Sequence, residues 1–225
     1  MGRNPPFEQT QGTAMHFLCL HGVGSNSQIL EAQTAALRYE LGDGHTYDYA
    51  EGTVPCPVDP GLATYFPTDD DCFAYFDPSR PESFATALHH LAEFLEHEGP
   101  FDGILAFSQG AQVAAALLAR LQAHYPVRCA IFLSAATPDG APILGPPTND
   151  AGVEVPLQLP TAHVWGEADR HSDTSRMLST LCRPEWCSPF VHSGGHAVPG
   201  GRERGSLKGA VNAIRRTVDF AEGLQ

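Results

Sequence analysis

The sequence has no long apolar stretch, few basic residues and no closely paired cysteines, and each shortage removes a class of function. No run approaches the ~20 apolar residues that a membrane-spanning helix requires. Lysine and arginine total 13 against 26 acidic residues, a net charge of −13 over 225 residues. Nucleic acid and anionic membrane surfaces are therefore poor partners. The six cysteines form no C-x-x-C pair. Cys19 and Cys129 sit in apolar runs, so reduced, buried thiols are expected. Cys56 and Cys72 share a loop-rich segment, which leaves a disulfide between them open. No H-E-x-x-H pattern occurs, so no metal site is expected; His89, His90 and His97 read as a solvated helix face. The first residues, MGRNPPFEQTQGTA, lack the apolar core of a secretory signal, and Pro6 breaks the myristoylation pattern. A cytoplasmic location is the expectation.

Apolar runs alternate with amphipathic stretches. MHFLCLHG (15–22), 101–107, CAIFLS (129–134) and TAHVW (161–165) read as buried strands, with weaker candidates at 47–51 and 188–192. Helices are expected over 24–41, over 108–125 and over 207–223. In PESFATALHHLAEFLEHEG (81–99), Phe84, Leu88, Leu91 and Leu95 share one helical face. The reading is one α/β domain over 1–225, a mainly parallel sheet with helices on both faces. In such sheets ligands sit beyond the carboxyl ends of the strands. Residues 51–81, rich in Pro, Asp and aromatics, show no period and read as a variable lid or pocket segment.

Chemistry concentrates in three places, each just past a strand. Ala106-Phe107-Ser108-Gln109-Gly110 carries a strand into a helix through one serine, the G-x-S-x-G elbow with Ala in the first position. Such a turn exposes the serine at the top of the sheet and demands small neighbours. An N-cap role is the plainer alternative for Ser108. A serine hydroxyl needs a base, and the base needs an orienting acid. TAHVWGEADR supplies Asp169, with Glu167 and Asp173 as rivals. HSGGHAVP supplies His196, with His192 as rival. The chain order Ser, Asp, His is that of α/β-hydrolases. His163, inside a strand, reads as a core histidine with its polar atoms satisfied.

An acyl transfer also needs two backbone donors for the developing oxyanion. Gln109, directly after the nucleophile, is one. Val23 in the loop His21-Gly22-Val23-Gly24 is the other, with Gly24 as runner-up. That Gly-rich loop lacks a following Gly-Lys-Ser/Thr, which argues against a P-loop. His21, Tyr65, Phe66, Phe73 and Tyr75 are the candidate substrate-binding residues, an aromatic acyl pocket or lid.

LCLHGVGSNSQI, EGPFDGILAFSQGA, WGEADR and GGHAVP together resemble the fungal serine hydrolase family, short α/β-hydrolases that include an animal tumour-associated serine hydrolase. The resemblance runs over about 17–220 and is weakest over 51–80. The family elbow ordinarily begins with Gly where this chain has Ala106. The resemblance implies an α/β-hydrolase fold, a Ser108, Asp169, His196 triad and esterase or thioesterase activity without a cofactor. It further implies a small-molecule acyl ester or thioester substrate, such as a polyketide chain in secondary metabolism, presented by an acyl carrier protein in some members. Acyl transfer or cyclisation, or a non-catalytic binding role, are the alternatives.

Overall fold

The computed structural model describes residues 14–66, 70–121, 124–137 and 156–224. Six strands form one parallel sheet in the order β2-β1-β5-β6-β7-β8. They are β1 (His16–Leu20), β2 (Thr46–Ala50), β5 (Gly103–Phe107), β6 (Cys129–Leu133), β7 (Thr161–Gly166) and β8 (Cys187–His192). A separate two-stranded sheet pairs β3 (Val54–Cys56) with β4 (Cys72–Ala74), antiparallel. The helices are α1 (Ser27–Leu41), α2 (Pro60–Ala63), α3 (Pro81–Glu98), α4 (Gln109–Leu121), α5 (Ser172–Thr180) and α6 (Arg204–Gly223).

Side-chain alternation along the strands sorts the core into two layers. Leu18, Leu20, Ile104, Ala106 and Phe132 pack with Leu88, Leu91 and Leu95 of α3 and with α4. Phe17, Cys19, Leu105, Phe107 and Ile131 point the other way, toward Leu30 and Leu37 of α1 and Val211 and Ile214 of α6. Burial on both faces explains why β5, β6 and β7 are apolar without a period of two. Asn26 caps α1, its side chain accepting the Ile29 N–H at 2.9 Å.

The segment expected to be structureless is partly ordered. β4 docks on the first loop, where the Phe73 N–H donates to Ser25 O at 2.8 Å and the Gly24 N–H donates to Phe73 O at 3.0 Å. Cys56 and Cys72 are cross-strand partners, and both thiols are free, as are Cys19, Cys129, Cys182 and Cys187. His89, His90 and His97 are exposed on α3. α5 was not expected. Residues 138–155, most of the Pro- and Gly-rich connection before β7, lie outside the described residues. No helix among the described residues is long and apolar enough to cross a membrane.

Candidate active site

β5 runs into α4 through Ser108, whose φ is 55°. A left-handed serine is strained by roughly 1–3 kcal/mol, and the packing around it holds that strain in place. A Cβ built on Gly110 meets the Leu20 carbonyl oxygen at 2.6 Å, and one on Gly22 meets the Ser108 Cβ at 3.1 Å. The small residues around the serine are therefore a requirement of close backbone approach. The Gly110 N–H donates to His21 O at 3.1 Å, fixing the start of α4 against the loop after β1.

His196 bridges the serine and the acid. Its Nε2 lies 2.9 Å from Ser108 Oγ and its Nδ1 lies 2.9 Å from Asp169 Oδ2. Asp169 follows β7 and its carboxylate is shut off from solvent. Its Oδ1 accepts the His171 N–H at 2.8 Å. Burial pushes the Asp169 pKa up, but the bonds from His196 and His171, and the nearby Ser134 hydroxyl, more than offset this and leave it below its ordinary value. The carboxylate is thus ionised at neutral pH. It selects the tautomer with hydrogen on Nδ1, leaving Nε2 free to accept the serine proton.

The acid and base loops touch backbone to backbone. A Cβ on Gly166 would collide with the carbonyls of Gly194 and Gly195. The Glu167 N–H donates to His192 O at 2.7 Å and the Ala168 N–H to Gly194 O at 3.1 Å. Phe107 and His171 pack against the His196 ring, at centroid distances of 5.2 Å each. Glu167 and Asp173 are exposed, and neither bonds His196. His192 is buried, and its Nδ1 accepts the Gly194 N–H at 3.1 Å, which leaves it outside the relay.

Of the two candidate second donors, Gly24 is committed, because its N–H serves Phe73 O. Val23 lines the cavity above Ser108, as does Gln109. Neither the Val23 nor the Gln109 N–H has a hydrogen-bond partner among the described residues. The cavity measures about 1300 Å³. Leu62, Tyr65 and Phe66 from α2 and its C-terminal turn contribute apolar wall, while Arg170, His171 and Arg202 contribute polar rim.

Three of the five expected substrate residues do not face this cavity. His21 is fully buried, and its ring is held by Gly22 O at 2.7 Å and the Gly52 N–H at 2.9 Å. Tyr75 is buried against the His21 ring, donates its hydroxyl to Ala50 O at 2.7 Å and accepts the His21 N–H at 2.9 Å. Phe73 is spent on pairing with Ser25 and Pro55. Tyr65 and Phe66 do line the cavity. Arg170, His171 and Leu62 were missed; Arg170 closes the WGEADR motif beside Asp169, whereas no periodicity or motif marks His171 or Leu62. His163 departs from expectation too: it is buried, but neither ring nitrogen has a hydrogen-bond partner among the described residues.

A strained serine at a strand–helix turn, bonded to a histidine that is bonded to a buried aspartate, is a nucleophile–base–acid geometry. The sequence model of the serine hydrolase (FSH1) family matches residues 10–205. The chain belongs to that family. It is 38% identical over 196 residues to the esterase FPY3 of Fusarium mangiferae, spanning 82% of this chain and 88% of that protein. It is 29% identical over 208 residues to the esterase OVCA2 of Bos taurus, spanning 82% of this chain and 89% of the relative. The crystal structure of esterase PE8 superposes with a TM-score of 0.62 at 20% identity, covering 92% of this chain and 94% of that one. The fold is that of the α/β-hydrolases, and the protein is a serine hydrolase of the esterase class.

Proposed function

We propose that this serine hydrolase cleaves acyl esters or thioesters through an acyl-enzyme, with Ser108 as nucleophile, His196 as base and Asp169 as its orienting acid. The observation that carries this reading is the pair of 2.9 Å contacts that His196 makes to Ser108 Oγ and Asp169 Oδ2. His196 Nε2 takes the Ser108 proton as Oγ bonds to the acyl carbon. The former carbonyl oxygen becomes anionic and is met by the N–H groups of Val23 and Gln109. Collapse breaks the bond to the leaving oxygen or sulfur, which takes the proton back from His196. Water then repeats the cycle, giving its proton to His196 and its oxygen to the acyl carbon; the free acid leaves and Ser108 is restored.

The substrate we favour is a bulky, largely apolar acyl chain of polyketide type, carried as a small-molecule ester or as a thioester on an acyl carrier protein. Support comes from the cavity, which at about 1300 Å³ exceeds what a short ester fills, and from the apolar wall of Leu62, Tyr65 and Phe66. Similarity to a fungal esterase supports the cleavage of an ester bond. We place the enzyme in the cytoplasm, on the strength of six free thiols.

Intact mass spectrometry tests both levels. Incubation with a fluorophosphonate should add one phosphonyl group to the wild type and none to Ser108→Ala. A panel of acyl esters and thioesters should then leave transient acyl adducts on Ser108, heaviest for the long chains. A folded Ser108→Ala protein that still turns over substrate would overturn the covalent mechanism. Preference for acetyl over long acyl groups would overturn the polyketide-type substrate.

A further inference from the structure

We propose that His21, braced by Glu51, is a positioning residue that aims the Val23 N–H at the oxyanion; this rests on the reading of Ser108 as nucleophile. A carbonyl oxygen only accepts hydrogen bonds. Gly22 O lies 2.7 Å from His21 Nδ1, so that nitrogen carries the proton. Nε2 faces two groups, the Gly52 N–H at 2.9 Å and Glu51 Oε1 at 2.8 Å. A neutral ring accepts from Gly52, and a protonated ring donates to Glu51. In both states Nδ1–H stays on the Gly22 carbonyl.

Peptide geometry turns this bond into a catalytic setting. The Gly22–Val23 peptide is planar, and in a trans peptide C=O and N–H point in opposite directions. Holding the Gly22 oxygen inward, on a fully buried ring, turns the Val23 N–H outward. The outward side is the cavity, which Gly22 and Val23 both line beside Ser108. The next N–H, that of Gly24, already serves Phe73 O. Gly22 is the residue least able to hold its own peptide plane, because glycine rotates with little steric resistance. A side-chain donor on its carbonyl supplies the missing constraint.

The brace continues outward. Glu51 accepts the Ser27 N–H at 3.1 and 3.3 Å, so its carboxylate is anchored to the first turn of α1. Burial raises the Glu51 pKa, but bonds from His21 and Ser27 more than offset this, and the group stays ionised at neutral pH. The His21 backbone is fixed as well, its N–H on the Tyr75 hydroxyl and its C=O under the Gly110 N–H. The ring is thus held from both its backbone and its nitrogens, and among the described residues His21 is the partner of the Gly22 carbonyl.

His21→Leu keeps comparable bulk without a donor, whereas His21→Asn keeps an N–H close to the Nδ1 position. His21→Leu is expected to lower kcat about 10–100-fold with KM within about threefold, part of the ~10²–10³ that a lost oxyanion donor costs. Affinity for an alkyl boronic acid, which forms an anionic tetrahedral adduct on Ser108, should fall by a similar factor. His21→Asn should restore kcat to within about fivefold of wild type. Equal kcat in wild type and His21→Leu, or equal losses in Leu and Asn, would overturn the proposal. Should His21→Leu fail to fold, the ¹⁵N shifts of the wild-type His21 ring decide: hydrogen on Nδ1 supports it, and a bare Nδ1 overturns it. Wild-type protein that is not labelled by fluorophosphonate would instead sink the reading of Ser108.

Discussion

Replacing His163 with leucine is expected to remove about 2 kcal/mol of acid sensitivity between pH 7 and pH 5. The imidazole lies in the middle of β7, 1% exposed, with its ring 5.1 Å from that of Phe132. Neither nitrogen has a hydrogen-bond partner among the described residues. Burial alone drives its pKa from 6.5 down to about 3. Folding therefore excludes a proton that the unfolded chain binds below pH 6.5, so this residue favours unfolding as the pH falls from 6.5 toward 3. At pH 5 the unfolded ring is protonated about 30 to 1 while the folded ring stays neutral, which corresponds to RT ln(1 + 10^1.5), or about 2 kcal/mol. The assay is urea unfolding of wild type and His163→Leu at pH 7 and pH 5. Every other titrating group cancels in the double difference. At pH 7 the leucine protein should be as stable as wild type or more so, since an unpartnered polar ring is exchanged for an apolar one. A double difference below about 0.5 kcal/mol would refute the argument, because it would mean the ring keeps a partner or water in the folded state.

Asp169→Asn is expected to lower kcat by about 10⁴, as loss of a tautomer-setting carboxylate does, whereas Glu167→Gln and Asp173→Asn change it little; steady-state kinetics on one chromogenic ester separates them. Gly166→Ala should lower kcat by 10-fold to ~10² with Ser108 intact, because the added methyl lifts the His196 loop off the sheet and a shift of about 1 Å is costly to a relay. Tyr65→Ala and Phe66→Ala should raise KM for long acyl chains and leave short-chain kcat unchanged, since both residues line the cavity and neither hydrogen-bonds Ser108, His196 or Asp169; a chain-length series of esters measures this.

The sequence revealed the sheet best where strands are buried on both sides. GILAF and CAIFL are apolar throughout, and every residue of both is buried. The contact among Ser108, His196 and Asp169 was anticipated for a related reason: each lies just past a strand, at the end of a parallel sheet where ligands bind. α5 was not legible, because SDTSRMLST has only two large apolar residues and its helix rests on Leu178 and on the Ser175 bond to Ala135 O. β3 and β4 have three residues each, too few for a period, and β4 owes its place to the Ser25 contact. His21 and Tyr75 were misassigned because composition is the same for an aromatic that faces a pocket and one that fills the layer beneath it. Only the path of β2, which brings Ala50 O to the Tyr75 hydroxyl, separates the two. The lack of partners around His163 depends on long-range neighbours that no local pattern encodes.

The stitching of the Asp169 turn to the His196 loop has a consequence for how this enzyme fails. Glu167 and Ala168 bond to His192 and Gly194 as an extension of the β7–β8 ladder, and Gly166 lies directly under the Gly194 and Gly195 carbonyls. Neither loop can swing without tearing the edge of the sheet. Heat inactivation should then coincide with loss of the β8 amides' protection from hydrogen exchange, and no dormant species with an intact sheet and a parted acid–base pair should accumulate on the way to the unfolded chain.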